Sequence, residues 1–180
     1  MKIIEAMKLR KRLVIKAGDL RKKISTNCAG MEDEEPAYKE PMGQIKEWLQ
    51  SHFDIVQLMG ELAIAIQKTN LDTEVTIVLG EKEVTKSLAE WVLRRRELAN
   101  MDKAAWQGLG DRGLQPKAFT DKTTNEPVLI KIKRFFDPKL RDAMVELYTH
   151  EPSRIDAKLE TVNATTDLTI DVKVDEDKLV

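Results

Sequence analysis

The sequence predicts a mainly α protein with small β additions. It is an α+β chain built on a long antiparallel helical hairpin or bundle, with one or two β-hairpins and a C-terminal strand. Three observations lead there. Two long stretches repeat apolar residues at alternating three- and four-residue spacings, the signature of helices packed along a seam. The composition is 34% charged but only 5% aromatic, with few Gly and Pro, as in chains dominated by long helices. Short segments of period-two alternation interrupt the helical pattern, as strands do.

The first helix is expected from about Lys2 to Asn27. Its seam is Ile3, Ala6, Arg10, Leu13, Ala17, Leu20 and Ile24, apolar at all but Arg10, and Met7, Leu9 and Val14 widen it. The stretch "CAGMEDEEPAYKEP" breaks the pattern with Gly30, Pro36 and Pro41. A second helix begins at Pro41 or Met42 and ends at Thr69-Asn70, with Asn70 as its C-terminal cap. Its seam is Ile45, Trp48, His52, Ile55, Met59, Leu62 and Ile66. The loop between these helices is short enough to make them antiparallel neighbours.

"TEVTIVLGEKEVT" reads as a hairpin, with Val75, Ile77 and Leu79 on one face and a turn near Gly80-Glu81-Lys82. A third helix starts at Thr85 as N-cap, or at Ser87 in a capping box with Glu90. Its apolar side is carried by Leu88, Trp91, Val92, Leu98, Ala99, Ala105 and Trp106. Val128 to Phe136 is expected as a strand that pairs with "QPKAF" through a turn at Asp121 to Glu126. Asp137-Pro138 opens a further helix, with Asp as N-cap and Pro in the first turn. That helix ends or kinks at Pro152 and continues through Ile155, Leu159 and Val162. The tail places Leu168, Ile170, Val172 and Val174 at period two, which is strand chemistry, and Asp175 to Lys178 supply charges that block further strand addition. Such a tail is expected to add to a sheet of its own chain or of a neighbouring subunit. The expected organisation is a helical core with inserted hairpin over 1–107, and a hairpin, helix pair and strand over 108–180.

Composition excludes more than it identifies. The chain of 180 residues carries 30 basic and 31 acidic residues, so no global charge draws it to nucleic acid or anionic lipid. With Cys28 as the single cysteine, no internal disulfide forms, and one Cys with two His falls short of a zinc ligand set. The opening "MKIIEAMKLRKRLVIKAGDL" lacks the uninterrupted apolar core of a signal peptide, and no window is long and apolar enough to span a membrane. Cytosolic synthesis is the expectation.

No catalytic, cofactor-binding or metal residues are assigned. His52 sits in a seam, where it fixes register or meets an acidic partner more readily than it performs acid-base chemistry. The acidic run Glu32 to Glu35 reads as a solvated loop, since adjacent carboxylates need a defined turn to converge on a cation. Arg94, Arg95 and Arg96 fan around a helix and cannot all face one ligand; Arg95 is expected nearest the seam, paired with a buried carboxylate. Gly108, Gly110 and Gly113 lack the phosphate-loop spacing.

The helix end Ile66-Gln67-Lys68-Thr69-Asn70, the hairpin with Gly80, the restart Thr85 to Glu97 with its arginines, and the opening helix together resemble the septicolysin-like family of small helical proteins of unknown function. The resemblance covers roughly Met1 to Trp106, and the chain looks more like the forms encoded by bacteriophages. It brings no catalytic residues. The cytolysin name implies pore formation, but the sequence has no amphipathic membrane-inserting segment.

The expected function is a non-catalytic, self-assembling structural protein: a homo-oligomer, and a bacteriophage virion component in contact with other virion proteins. Long helices and strand edges that need partners favour it. Two alternatives remain. A nucleic-acid-binding regulator would use Arg10, Lys11, Arg12, Arg21, Lys22 and Lys23 as a basic face. An enzyme would need a pocket joining Arg95, His52 and carboxylates.

Overall fold

The computed structural model describes residues 1–33, 35–80, 82–120 and 127–174. Glu34 of the acidic run, Glu81 of the first turn, the turn at 121–126 and the charges at 175–178 lie outside the described residues. Helix accounts for 63% of what is described, and the strands form two small antiparallel pairs, so the mainly α, α+β class holds. The elements are α1 (Ile3–Asn27), α2 (Pro41–Asp72), β1 (Glu74–Leu79), β2 (Lys82–Ser87), α3 (Leu88–Leu93), a π-helical turn (Arg94–Leu98), α4 (Ala99–Gln107), β3 (Lys117–Thr120), β4 (Pro127–Ile130) and α5 (Pro138–Thr165). From α3 through the π turn to α4 the helical backbone is continuous. Two compact units emerge. One holds Met1–Glu74, Ser87–Ala89 and Leu159–Val180; the other holds Val75–Lys86 and Glu90–Lys158.

The first unit is organised by the α1–α2 seam. Ala6, Leu9, Leu13, Ala17 and Leu20 of α1 pack with Ile55 and Leu62 of α2, flanked by Trp48, Leu58, Met59 and Ile66. Leu9 takes the place expected of Arg10, which is exposed. The two lie about 100° apart on the helix, and the seam takes the aliphatic side chain over the guanidinium. The helices are antiparallel, because the start of α1 and the end of α2 meet the same short segment, Thr166 to Thr169. Ile3 N–H donates to Thr166 O (3.0 Å) and Leu168 N–H to Met1 O (2.9 Å). Thr169 N–H donates to Thr69 Oγ1 (2.9 Å). The Thr69 hydroxyl proton goes to Ala65 O (2.8 Å), so Thr169 Oγ1, at 3.2 Å, is the donor in their side-chain contact.

These bonds correct two expectations. Asn70 does not cap α2. The helix runs on to Asp72, and Thr73 N–H bonds Thr69 O. Nor do residues 168–174 form a strand: the one bridge, between Lys2 and Asp167, lies just before them, and they pair with no sheet. Their period-two side chains find another surface, as Leu168, Val172 and Val174 pack onto the α1–α2 core. The backbone at the start of this segment bonds to helix ends and to a threonine hydroxyl in place of a neighbouring strand. Lys2 Nζ also ion-pairs with Asp167 and donates to Thr165 O (2.9 Å).

In the second unit the β1–β2 hairpin turns at Gly80, whose φ of 65° is open to glycine. Val75 and Ile77 are buried on one face, as their alternation requires. Trp91 of α3, itself fully buried, donates from Nε1 to Val75 O (2.8 Å) and holds the hairpin to the helix. This answers the marginal stability of a lone hairpin. The third helix starts at Leu88, directly after Ser87, the second of the two expected starts, and not at Thr85. Thr85 remains in β2, where its hydroxyl lies 2.7 Å from that of Thr76.

The second hairpin pairs Lys117 with Ile130 through to Thr120 with Pro127. β4 stops at Ile130, short of the expected Phe136. Its partner strand has run out, since Pro116 has no N–H to offer a ladder. Asp137 caps α5 by accepting from Lys139 N–H (2.9 Å), and α5 continues through Pro152.

Truncating Leu62, fully buried in the seam, to alanine is expected to cost about 2–5 kcal/mol in urea unfolding. Acidification tests the tail dock. The hydrogen bond from Lys2 holds the Asp167 carboxyl below its ordinary value of 3.8. The pair therefore contributes fully above that value, and its contribution disappears as pH falls through the lower folded value. Carboxyl NMR should show Asp167 moving back toward its ordinary value in Lys2→Met.

Candidate functional site

Two arrangements stand out: an ion cluster around one buried carboxylate in the second unit and an exposed apolar face in the first. The ion cluster begins with a placement on α5. Leu147, Glu151, Ile155 and Leu159 recur every fourth residue, so Glu151 occupies an apolar stripe. It is 1% exposed. Its partner is Arg94, which donates from Nε to Oε1 (2.6 Å) and from Nη2 to Oε2 (3.1 Å). The remaining arm of Arg94 donates from Nη1 to Asp102 Oδ2 (2.7 Å), and the guanidinium lies 5.5 Å from the ring centre of Tyr148. The hydrogen bond to Glu151 holds the Arg94 pKa above its ordinary value. Burial opposes it, and Asp102 adds to it.

Arg94 starts the π-helical turn, in which Ala99 N–H reaches back five residues to Arg94 O. One residue is thereby inserted into the helix, and the side chains beyond it are rotated relative to a regular α-helix. The arginines consequently divide differently from the expectation. Arg94, and not Arg95, meets the buried carboxylate. Arg95 pairs with the exposed Asp156, and Arg96 pairs with Glu97 beside it (2.6 Å). Each of the three guanidinium nitrogens of Arg94 donates one hydrogen bond to a carboxylate of its own fold.

The glycine-rich stretch after α4 is likewise structural. Arg112 (φ 54°) and Gly113 (φ 71°) form a left-handed turn closed by Leu114 N–H to Asp111 O (2.8 Å). Asp111 receives both arms of Arg134, at 2.6 and 2.7 Å, which lowers the carboxyl pKa and raises that of the guanidinium.

His52 is half-buried on α2 in the first unit, while Arg95 belongs to the second. His150 and Cys28 are exposed. Glu32, Asp33 and Glu35 are exposed, as are all six basic residues named on α1. Among the described residues no group of three or more His, Cys, Asp or Glu is placed to hold a metal ion, and no helix is long and apolar enough to cross a membrane. Asn70 Oδ1 is buried with no hydrogen-bond partner among the described residues.

The apolar face lies on α2. Leu49, Phe53, Val56, Ile64 and Leu71 are 51, 56, 47, 62 and 65% exposed. They form a stripe opposite Ile55, Leu62 and Thr69, the residues that α2 buries. Sequence reasoning followed the buried seam and passed over this second stripe, whose positions keep three- and four-residue spacings only when Gly60 and Gln67 are counted in. Further apolar surface is exposed on β3 and β4, at Phe119, Leu129 and Ile130.

The chain matches no family model and no curated protein. It is similar to a solved structure, the crystal structure of a functionally unknown conserved protein from Corynebacterium diphtheriae. The TM-score is 0.57 at 18% sequence identity, over 94% of this chain and 99% of that one. That likeness shows a shared fold across nearly the whole length of both.

The ion cluster makes a clear forecast. Arg94→Met leaves Glu151 as a buried, unpaired charge and should destabilise the fold by about 3–5 kcal/mol. The double variant Arg94→Met/Glu151→Met should recover most of that loss, as read by urea unfolding of the four members of the cycle.

Proposed function

We propose that this chain is a non-catalytic, self-assembling structural protein that works as a homo-oligomer. The observation that carries the reading is the second apolar face of α2. A helix with two opposed apolar stripes is built to be covered on both sides, and α1 and the tail cover one. The cluster around Arg94 is compatible with the same reading, because its ion pairs join α5 to the helix that carries Arg94 and Asp102. The resemblance to septicolysin-like proteins of bacteriophages supports a virion as the setting, with other virion proteins as neighbours.

Light scattering tests the assembly. The purified protein should have a mass that is a multiple of the 20.6 kDa chain at tens of micromolar. A mass of one chain up to about 100 µM would sink the reading. Mass spectrometry of purified particles tests the virion setting separately.

A further inference from the structure

Two helices packed along a seam leave a groove on each side of it. Measured from Leu13 at about 100° per residue, Met7, Arg10 and Val14 of α1 lie about 60–120° to one side, and Glu5, Leu9, Arg12 and Lys16 about 40–100° to the other. The protein fills the second groove itself. Leu168, Val172 and Val174 of the tail pack on the α1–α2 core, and Val174 lines a cleft with Leu9, Arg12 and Lys16. The tail is non-helical there, and its burial alternates: residues 168, 170, 172 and 174 are partly buried, and 167, 169, 171 and 173 are exposed.

The first groove is open. It encloses about 420 Å³ between Met7 and Val14 of α1 and Ala63 and Ile66 of α2. That volume falls within the roughly 300–1,000 Å³ of ligand clefts. Met7 and Val14 are 49 and 47% exposed, so the apolar wall on α1 faces solvent. Gln67 adds a side-chain amide that can both donate and accept.

Charge distinguishes the open groove as well. Arg10 and Lys11 line it, no described carboxylate does, and neither cation has an ion pair among the described residues. α1 supplies no acid three or four positions from either one, where a helical partner would stand: the neighbours are Ala6, Met7, Lys8, Leu13, Val14 and Ile15. On the filled side the cations accompany an acidic segment. Lys2 pairs with Asp167, and Arg12 and Lys16 stand beside Val174, which directly precedes Asp175, Glu176 and Asp177 in the sequence.

We infer that the open groove binds a segment of another protein with the chemistry of this chain's own tail: a non-helical acidic peptide with apolar side chains at alternate positions. Its apolar side chains enter between Met7, Val14, Ala63 and Ile66, and its carboxylates meet Arg10 and Lys11. Gln67 bonds the peptide backbone, as the Thr69 hydroxyl on the same helix accepts from Thr169 N–H (2.9 Å). Aliphatic walls give nucleic-acid bases no platform to stack on, so the two cations select a peptide carboxylate over a nucleic-acid phosphate.

The site goes beyond self-assembly and does not depend on it, and peptide binding tests it. The probe is a fluorescein-labelled peptide of residues 166–177 of this chain, which carries Leu168, Ile170, Val172 and Val174 with five carboxylates. It is titrated into the full chain and read by anisotropy. Circular dichroism confirms that each variant is folded, as substitutions of exposed residues should leave it. Arg10→Glu/Lys11→Glu should weaken binding about fivefold or more, and Met7→Asp should weaken it as well. Arg12→Glu, on the filled side, should change it less than about twofold. A peptide with Asn and Gln in place of Asp and Glu should bind more weakly. The Met7 and Val14 methyl resonances should shift on binding while those of Leu9 stay in place. Absence of binding at about 1 mM, or equal binding of the amide peptide, would overturn the proposal. Loss of binding in Arg12→Glu with retention in Arg10→Glu/Lys11→Glu would mean that the peptide merely replaces the tail, and would also overturn it. If the Arg10→Glu/Lys11→Glu chain loses a self-association that the wild type shows by sedimentation, the groove takes a second copy and the foreign segment is wrong.

Discussion

The first unit depends on one constraint: α2, at 32 residues, is about 48 Å long and must have its apolar surface covered along that length. α1, with 25 residues, covers much of one side. The tail adds Leu168, Val172 and Val174 to the same core. Thr69 fixes where that addition begins. Its hydroxyl bonds to its own helix and receives two bonds from Thr169, so the tail has a defined starting point on α2. Loss of the α1–α2 seam would remove the surface on which the tail is laid.

The second unit uses charge for the same purpose. A carboxylate in an apolar stripe is costly unless it is paired and hydrogen-bonded. Arg94 supplies a two-pronged partner and reaches Asp102 with its third arm. That geometry coincides with the π turn, which resets the phase of the helix at Arg94. The insertion and the ion pair are best understood together: the backbone departs from α-helical spacing at the residue whose side chain must reach a buried partner.

The long elements were legible in the sequence because periodic burial writes itself into residue spacing. The ends of α1, the positive φ at Gly80, the pairing of Lys117–Thr120 with Pro127–Ile130 and the Asp137 cap follow from local rules. What escaped depended on non-local partners. Alternation in the tail specifies one apolar face but not whether a sheet or a helix pair receives it. Heptad counting at α1 admitted Arg10, because spacing alone does not choose between neighbours such as Leu9 and Arg10. Arg95 was expected at the buried carboxylate on a regular helical wheel, and no local signal announced the inserted residue. The buried acid itself was legible: a glutamate among Leu147, Ile155 and Leu159 at four-residue intervals marks a paired charge. So was the outward stripe of α2, for a reader who looks for two periodicities in one helix.

The bonds that tie Lys2 to Asp167 span 165 positions of the chain. During synthesis the first two helices leave the ribosome long before the segment that completes their core. The roughly one hundred residues that separate the end of α2 from Val174 take about 5–20 s to translate at 5–20 residues per second. For that interval the growing chain carries a helical pair whose groove is still open. A chaperone, or the matching groove of another nascent copy, would compete for it until the last residues arrive and close the unit.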